Sequence, residues 1–112
     1  MNYLAHIYLS YQFDEILIGN FTADFVSNKH LAKFSEQQMN GVLLHRLIDA
    51  YTDMHPTVRE TTKRLRPKQG KYAPVVSDIL YDYILVKHWK KFSNISLNDF
   101  KKKSYERLLT NA

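Results

Sequence analysis

Apolar side chains recur along this chain at intervals of three and four, the period of a helix packed on one face. In residues 2–11, Leu4, Ile7, Tyr8 and Tyr11 keep that spacing and predict a short first helix. FDEILIGNFTADFVSN (13–28) repeats it through Ile16, Ile18, Phe21, Phe25 and Val26, with Gly19 inside the run. A glycine there weakens a helix by about 1 kcal/mol relative to alanine. It also lets a neighbouring helix or a ligand come close. Ser35 and Gln38 make a capping-box pair opening a helix through GVLLHRLIDAYTDM, whose expected apolar face is Val42, Leu43, Leu47, Ile48 and Tyr51. His55-Pro56 marks a break, and Pro56 suits the first turn of the next helix, TVRETTKRL, expected to end near Arg66-Pro67. PKQGKYAP then reads as a loop. A long and mostly buried helix is expected over about 74–92, and Ser96 with Asp99 caps a last one through LNDFKKKSYERLL. Six helices with short connections imply an all-α fold, a compact multi-helix bundle.

Composition agrees. The 112 residues suit one modest domain, and 45% hydrophobic content with 13% aromatics is enough for a core, which excludes global disorder. Three glycines and three prolines are little punctuation for an all-β chain. The absence of cysteine excludes disulfides and thiolate metal sites and fits a reducing compartment. The apolar N-terminus has no basic leader, and no run approaches the roughly 20 apolar residues of a membrane helix. A cytoplasmic, soluble protein is the expectation.

Charge sharpens the picture. Sixteen Lys and Arg against eleven Asp and Glu give +5, which favours an acidic partner. The basic residues gather in 59–71 (RETTKRLRPKQGK) and 87–103, while Asp14, Glu15, Asp24, Asp49, Asp53, Asp78 and Asp82 fall among apolar residues. The 59–71 stretch lacks aromatics before Tyr72, no helix-turn-helix is evident, and nucleic acid is not the expected partner.

Three segments carry polar groups four residues apart. HRLIDAYTD sets His45, Asp49 and Asp53 on one stripe of a helix, since each four-residue step turns only about 40°. SDILYDYILVKHW adds Asp78 and Asp82, with His88 further round the axis, and GNFTAD adds Asn20 and Asp24. Oxygen and nitrogen donors together suit Mg²⁺, Mn²⁺ or Fe²⁺. Spacing alone equally describes the solvated faces of amphipathic helices, and Asn20 alone fits a helix–helix hydrogen bond better than a substrate contact. Facing one another in a bundle, the three segments would build one site. His6, on the apolar first helix, fits a satisfied core histidine. His30 and His55 fall in connections and have no partner by spacing. No phosphate-binding glycine loop, HExxH or GxSxG occurs.

The order MNYLAHIYLS, GNFTADFV, GVLLHRLIDAYTDMHPTVRE and APVVSDILYDYILVKHW resembles the acyl carrier protein phosphodiesterase family across most of the chain. HRxIDxxTDxHPxVR is its most specific piece. The resemblance implies an all-helical, divergent relative of the HD-domain phosphohydrolases. It implies hydrolysis of the phosphodiester joining 4′-phosphopantetheine to a serine of holo-acyl carrier protein, with Mn²⁺ the usual metal. This sequence has no adjacent His-Asp pair, so HRLID and DILYD stand in for it. Carried onto this chain, the metal set is Asp24, Asp49, Asp53, Asp78 and Asp82, and the catalytic set is Asn20, His45, Arg46 and His88. Arg46 would meet a nonbridging phosphate oxygen, and His45 or His88 would protonate the leaving serine oxygen. The carrier protein is acidic, giving the basic charge a docking partner; a non-catalytic helical module that binds acidic proteins is the other reading. Family members continue well past residue 112. The resemblance therefore implies that residues 1–112 form a single helical domain corresponding to the N-terminal part of a longer one. The apolar face of the 74–92 helix would then be exposed or covered by a second copy in a homo-oligomer.

Overall fold

The computed structural model describes residues 3–10 and 13–111. Seven α-helices follow one another among these residues: α1 (Tyr3–Leu9), α2 (Asp14–Thr22), α3 (Asn28–Leu31), α4 (Glu36–Met54), α5 (Pro56–Gln69), α6 (Ala73–Lys87) and α7 (Leu97–Asn111). No strand occurs among the described residues, in agreement with the all-α expectation. None of these helices is long and apolar enough to cross a membrane.

Local signals account for most boundaries. Ser35 Oγ accepts from the Gln38 N–H while Gln38 Oε1 accepts from the Ser35 N–H, the reciprocal cap expected for α4. Pro56 occupies the first turn of α5, and the His55 imidazole accepts from the Thr57 N–H. The Ser96 hydroxyl accepts from the Asp99 N–H at the start of α7.

Three expectations change. Helix α5 runs through Pro67 to Gln69, so PKQGKYAP is largely helical rather than a loop. The turn comes instead at Gly70, whose φ of 55° suits a residue without a Cβ. The long helix stops at Lys87, because Trp89 turns inward, buried, and donates its indole N–H to the Ile95 carbonyl. The helix expected over 13–28 stops at Thr22, and the single turn α3 begins only at Asn28.

The tightest packing lies between α2 and α4. At their crossing Gly19 meets Gly41 with no side chain between the backbones: a Cβ on Gly19 would strike the Gln38 carbonyl, and one on Gly41 the Ile16 carbonyl. The close approach expected of Gly19 is thus to a helix. It also decides which face of α4 turns inward. Gly41, Val42, His45 and Ile48 are buried, whereas Leu43, Leu47 and Tyr51, expected inside, are exposed. Helix α6 differs likewise from its expected burial: only Ala73 and Ser77 are buried on it. The remaining apolar core is Ala5, Ile7, Leu17 and Trp89. Tyr8 and Phe100 flank Trp89, and an Arg107–Asp14 ion pair of 2.6 Å ties α7 to α2.

Candidate metal centre

The crossing of α2 and α4 brings polar groups into the interior. His6 on α1 and His45 on α4 are both buried, and their rings stack in parallel with centroids 3.9 Å apart. Asp49, one turn beyond His45, reaches both: Oδ1 lies 3.1 Å from His6 Nε2 and Oδ2 lies 3.3 Å from His45 Nε2. Asp24, in the turn after α2, places Oδ1 3.2 Å from the same His45 nitrogen.

The far side of His45 fixes its tautomer. Nδ1 lies 2.9 Å from the main-chain carbonyl oxygen of Asn20. A carbonyl only accepts, so Nδ1 carries the proton and Nε2 turns towards the carboxylates. Nε2 is buried and satisfies hydrogen-bond geometry with neither Asp24 nor Asp49, despite its closeness to both. A carbonyl behind the imidazole and carboxylates before it is the arrangement of a metal-binding histidine with its outer hydrogen bond in place. Donor atoms at right angles on an ion with bonds of about 2.1 Å stand about 3.0 Å apart. The separations of 3.1, 3.2 and 3.3 Å are close to that edge. His6, His45 and Asp49 together can hold a metal ion, their donor atoms all lying within 4.8 Å of one another.

The electrostatics fit. Burial, then the neighbouring His45, holds His6 below the ordinary imidazole value, which favours the neutral form that a ligand needs. Burial pushes the Asp49 carboxyl up, but surrounding positive charge, to which His6 and His45 contribute, outweighs it and keeps the group below its ordinary value. Asp78 is raised, by burial first and also by the Asp53 and Asp49 carboxylates. Asp53 at the end of α4 and Asp78 on α6 line one cleft, which sets α6 beside the acidic end of α4.

Of the residues picked out in the sequence, the structure therefore brings together Asp24, His45 and Asp49. Asp53 and Asp78 line an adjoining cleft. Asp82 is partly buried on α6, a turn beyond Asp78. Asn20 acts through its frame: fully buried, it donates from Nδ2 to the His6 carbonyl and to Ser10 Oγ, while its own carbonyl holds His45. Arg46 is exposed beside His45 on α4. His88 is not brought to the group. Ten residues beyond Asp78 at 1.5 Å per residue, it stands about 15 Å further along the helix direction, and it lines a different cleft with Trp89 and Ile95. The residue that sequence spacing missed is His6. Among the described residues its companion at a four-residue step is Ser10, whose hydroxyl returns to the His6 carbonyl. Only its place in the MNYLAH motif could have marked it.

The fold and this group define an all-helical protein with a His–Asp centre between helices that can hold a divalent cation. The chain belongs to the acyl carrier protein phosphodiesterase family, whose model matches residues 1–112. It is 37% identical over 93 residues to an acyl carrier protein phosphodiesterase of Enterobacter sp. (strain 638), covering 83% of this chain and 48% of that one. A protein of the same name from Klebsiella pneumoniae is 35% identical over 101 residues, covering 89% and 52%. The Salmonella newport protein is 37% identical over 93 residues, with coverage of 83% and 48%. The chain spans about half the length of the curated relatives it matches. No solved structure matches it.

Proposed function

We propose that the chain carries the metal centre of a cytoplasmic phosphodiesterase that frees 4′-phosphopantetheine from the serine of holo-acyl carrier protein and leaves the apo-carrier. One observation carries this reading: in a member of that family, His45 Nε2 faces the carboxylates of Asp24 and Asp49 with Nδ1 anchored behind it. His6, His45, Asp24 and Asp49 hold the ion, Mn²⁺ by preference and Mg²⁺ or Fe²⁺ otherwise. When bound, such an ion makes a water nucleophilic at neutral pH and offsets charge on the phosphodiester. Asn20 keeps the His45 ring in register. Asp53, Asp78 and Asp82 supply negative charge around the group, on the side where α4 meets α6. The Arg46 guanidinium is free to meet a nonbridging oxygen, a pairing suited to its fork. With Nε2 on the ion and the Nδ1 proton held by the Asn20 carbonyl, His45 serves as a ligand and not as the proton donor to the leaving serine oxygen. The exposed cations of α5 dock the acidic carrier.

Incubation with holo-carrier and Mn²⁺ tests this: the carrier loses the mass of phosphopantetheine. No loss across Mn²⁺, Mg²⁺ and Fe²⁺, also with a family-length relative, would sink it. The half-length coverage supports a second reading, a non-catalytic module docking acidic proteins through residues 59–71. Asp49→Ala separates the two, abolishing turnover under the first and leaving carrier binding intact under both; loss of binding instead would count against either docking role.

A further inference from the structure

Among the described residues, two clusters of three aromatic rings occur, and they differ in what surrounds them. Tyr8 and Phe100 pack around the buried indole of Trp89, and the Tyr8 hydroxyl bonds the Phe92 carbonyl. Tyr3, Phe21 and Phe25 form the other cluster. Each ring meets both others, with centroids 5.5 Å (Tyr3–Phe21), 5.4 Å (Tyr3–Phe25) and 5.9 Å (Phe21–Phe25) apart. This cluster stands open: Tyr3 is 42% exposed and Phe25 61%. A contiguous apolar surface left facing water marks a place where something packs.

The open cluster borders the metal centre. Tyr3 precedes His6 by three residues on α1, which sets the two side chains on one face, a turn apart. Phe21 follows Asn20, whose carbonyl holds His45, and Phe25 follows Asp24. The Phe25 N–H donates to the Thr22 carbonyl at 2.9 Å, so the turn that carries Asp24 also fixes the base of the ring. The centre opens on the same side. The side chains of His6 and His45 are 1% and 4% exposed, Asp49 is 36% exposed and Asp24 60%. A phosphate therefore reaches the centre past Asp24, and the rings beside Asp24 are what a group attached to that phosphate meets.

We propose that Tyr3, Phe21 and Phe25 are the platform on which the pantetheine arm of the substrate packs while its phosphate lies at the His–Asp centre. The proposal rests on the phosphodiesterase reading for the identity of the ligand. The chemistry of the arm suits the rings. Its quaternary carbon, with two methyl groups, follows the phosphate ester oxygen after a single methylene, so an apolar surface is needed close to the phosphate. Amide groups come next, and their flat faces pack on aromatic rings as apolar groups do, while the exposed Tyr3 hydroxyl can donate to an amide carbonyl. An apolar wall with one polar group to fix orientation is the usual make-up of a small-molecule site. The rings thus select the arm, whereas the basic residues select the carrier protein.

Saturation-transfer difference NMR with pantetheine, which lacks the phosphate, tests the platform without turnover, in EDTA so that no divalent ion contributes. The methyl protons of pantetheine receive saturation from the chain, and the signal saturates as pantetheine is added. Phe25→Ser weakens this binding about five-fold or more, the scale of one lost aromatic contact. Phe25→Tyr, which keeps the ring, restores it, and Tyr105→Ser, at an exposed tyrosine of α7, leaves it within about two-fold. Circular dichroism confirms that each variant is folded. With Mn²⁺ and holo-carrier, Phe25→Ser raises KM and leaves kcat within about two-fold, because the arm is held alike before and during cleavage. Absence of saturable pantetheine binding overturns the platform, and so does an equal loss in Tyr105→Ser. An equal loss of affinity for apo-carrier in Phe25→Ser also overturns it, assigning the rings to the protein surface of the carrier. Pantetheine binding that depends on Phe25, without cleavage of holo-carrier, keeps the platform and removes the phosphodiesterase reading. Cleavage with an unchanged KM in Phe25→Ser does the reverse.

Discussion

The two ends of α4 live in different environments. Its first half crosses α2 so closely that two glycines replace side chains, and the interior stripe there carries His45 with His6 stacked upon it. Its second half, with α6, shows apolar side chains to solvent: Leu47 is 67% exposed and Tyr51 and Met54 74%, while Val75, Ile79 and Tyr83 on α6 are also open. Whole-chain measures reflect this. The accessible surface is 8055 Å², against roughly 6,400 Å² for a monomer of this mass. The radius of gyration is 15.2 Å, against about 13 Å for a domain of this length. A metal centre needs donors held within a few tenths of an ångström, which the rigid crossing supplies. The open half leaves room for a ligand or a partner to pack.

Several measurements can break this comparison. The largest effect belongs to Gly41→Ala. Alanine gains about 1 kcal/mol in helix propensity, but its Cβ meets the Ile16 carbonyl, and overpacking against backbone costs more than about 3 kcal/mol. The urea midpoint should collapse or the chain fail to fold; a mild effect would show that the helices do not touch at Gly19. Asn20→Ala comes next. It removes one hydrogen bond from the His6 carbonyl and one from the Ser10 hydroxyl, leaving them bonded to each other, a loss of about 1–2 kcal/mol, read from the same transition.

The third test is pH. His6 titrates below its ordinary value of 6.5 in the folded chain, so the unfolded chain takes the proton first and stability falls as pH drops below about that value. Asp49, also lowered, keeps its contribution until pH falls towards its ordinary 3.8 and below, outside this window. Melting temperatures of the metal-free chain should therefore fall from pH 7.5 to 5.5, and His6→Asn should flatten that slope. A slope unchanged in the variant would place His6 elsewhere.

The smallest effect is Leu47→Ser, within about 0.5 kcal/mol as for any open surface position. A loss above about 1 kcal/mol would mean that the face is covered in solution, and sedimentation velocity would show whether a second copy covers it.

Much of this was legible from the residues. The Ser35–Gln38 cap, Pro56 at a helix start and the Ser96 cap are local chemistry, complete within four residues, so the sequence displays them. His45 and Asp49 showed in the spacing, as did Asp24 near Asn20. The faces of α4 were not legible. Hydrophobicity favours Leu43, Leu47 and Tyr51 inside, and it is overruled because Gly41 fits Gly19 and Leu47 could not.

By itself, then, the sequence determined the all-α fold, most helix starts, the His45–Asp49 step and the family. Only the tertiary structure decided that His6 joins them, that Asn20 serves through its backbone carbonyl, and that His88 stands apart. The physical reason is range. Caps and four-residue steps are set by neighbours along one helix, whereas His6 and Asp49 are 43 positions apart and meet only because two glycines let α2 and α4 close.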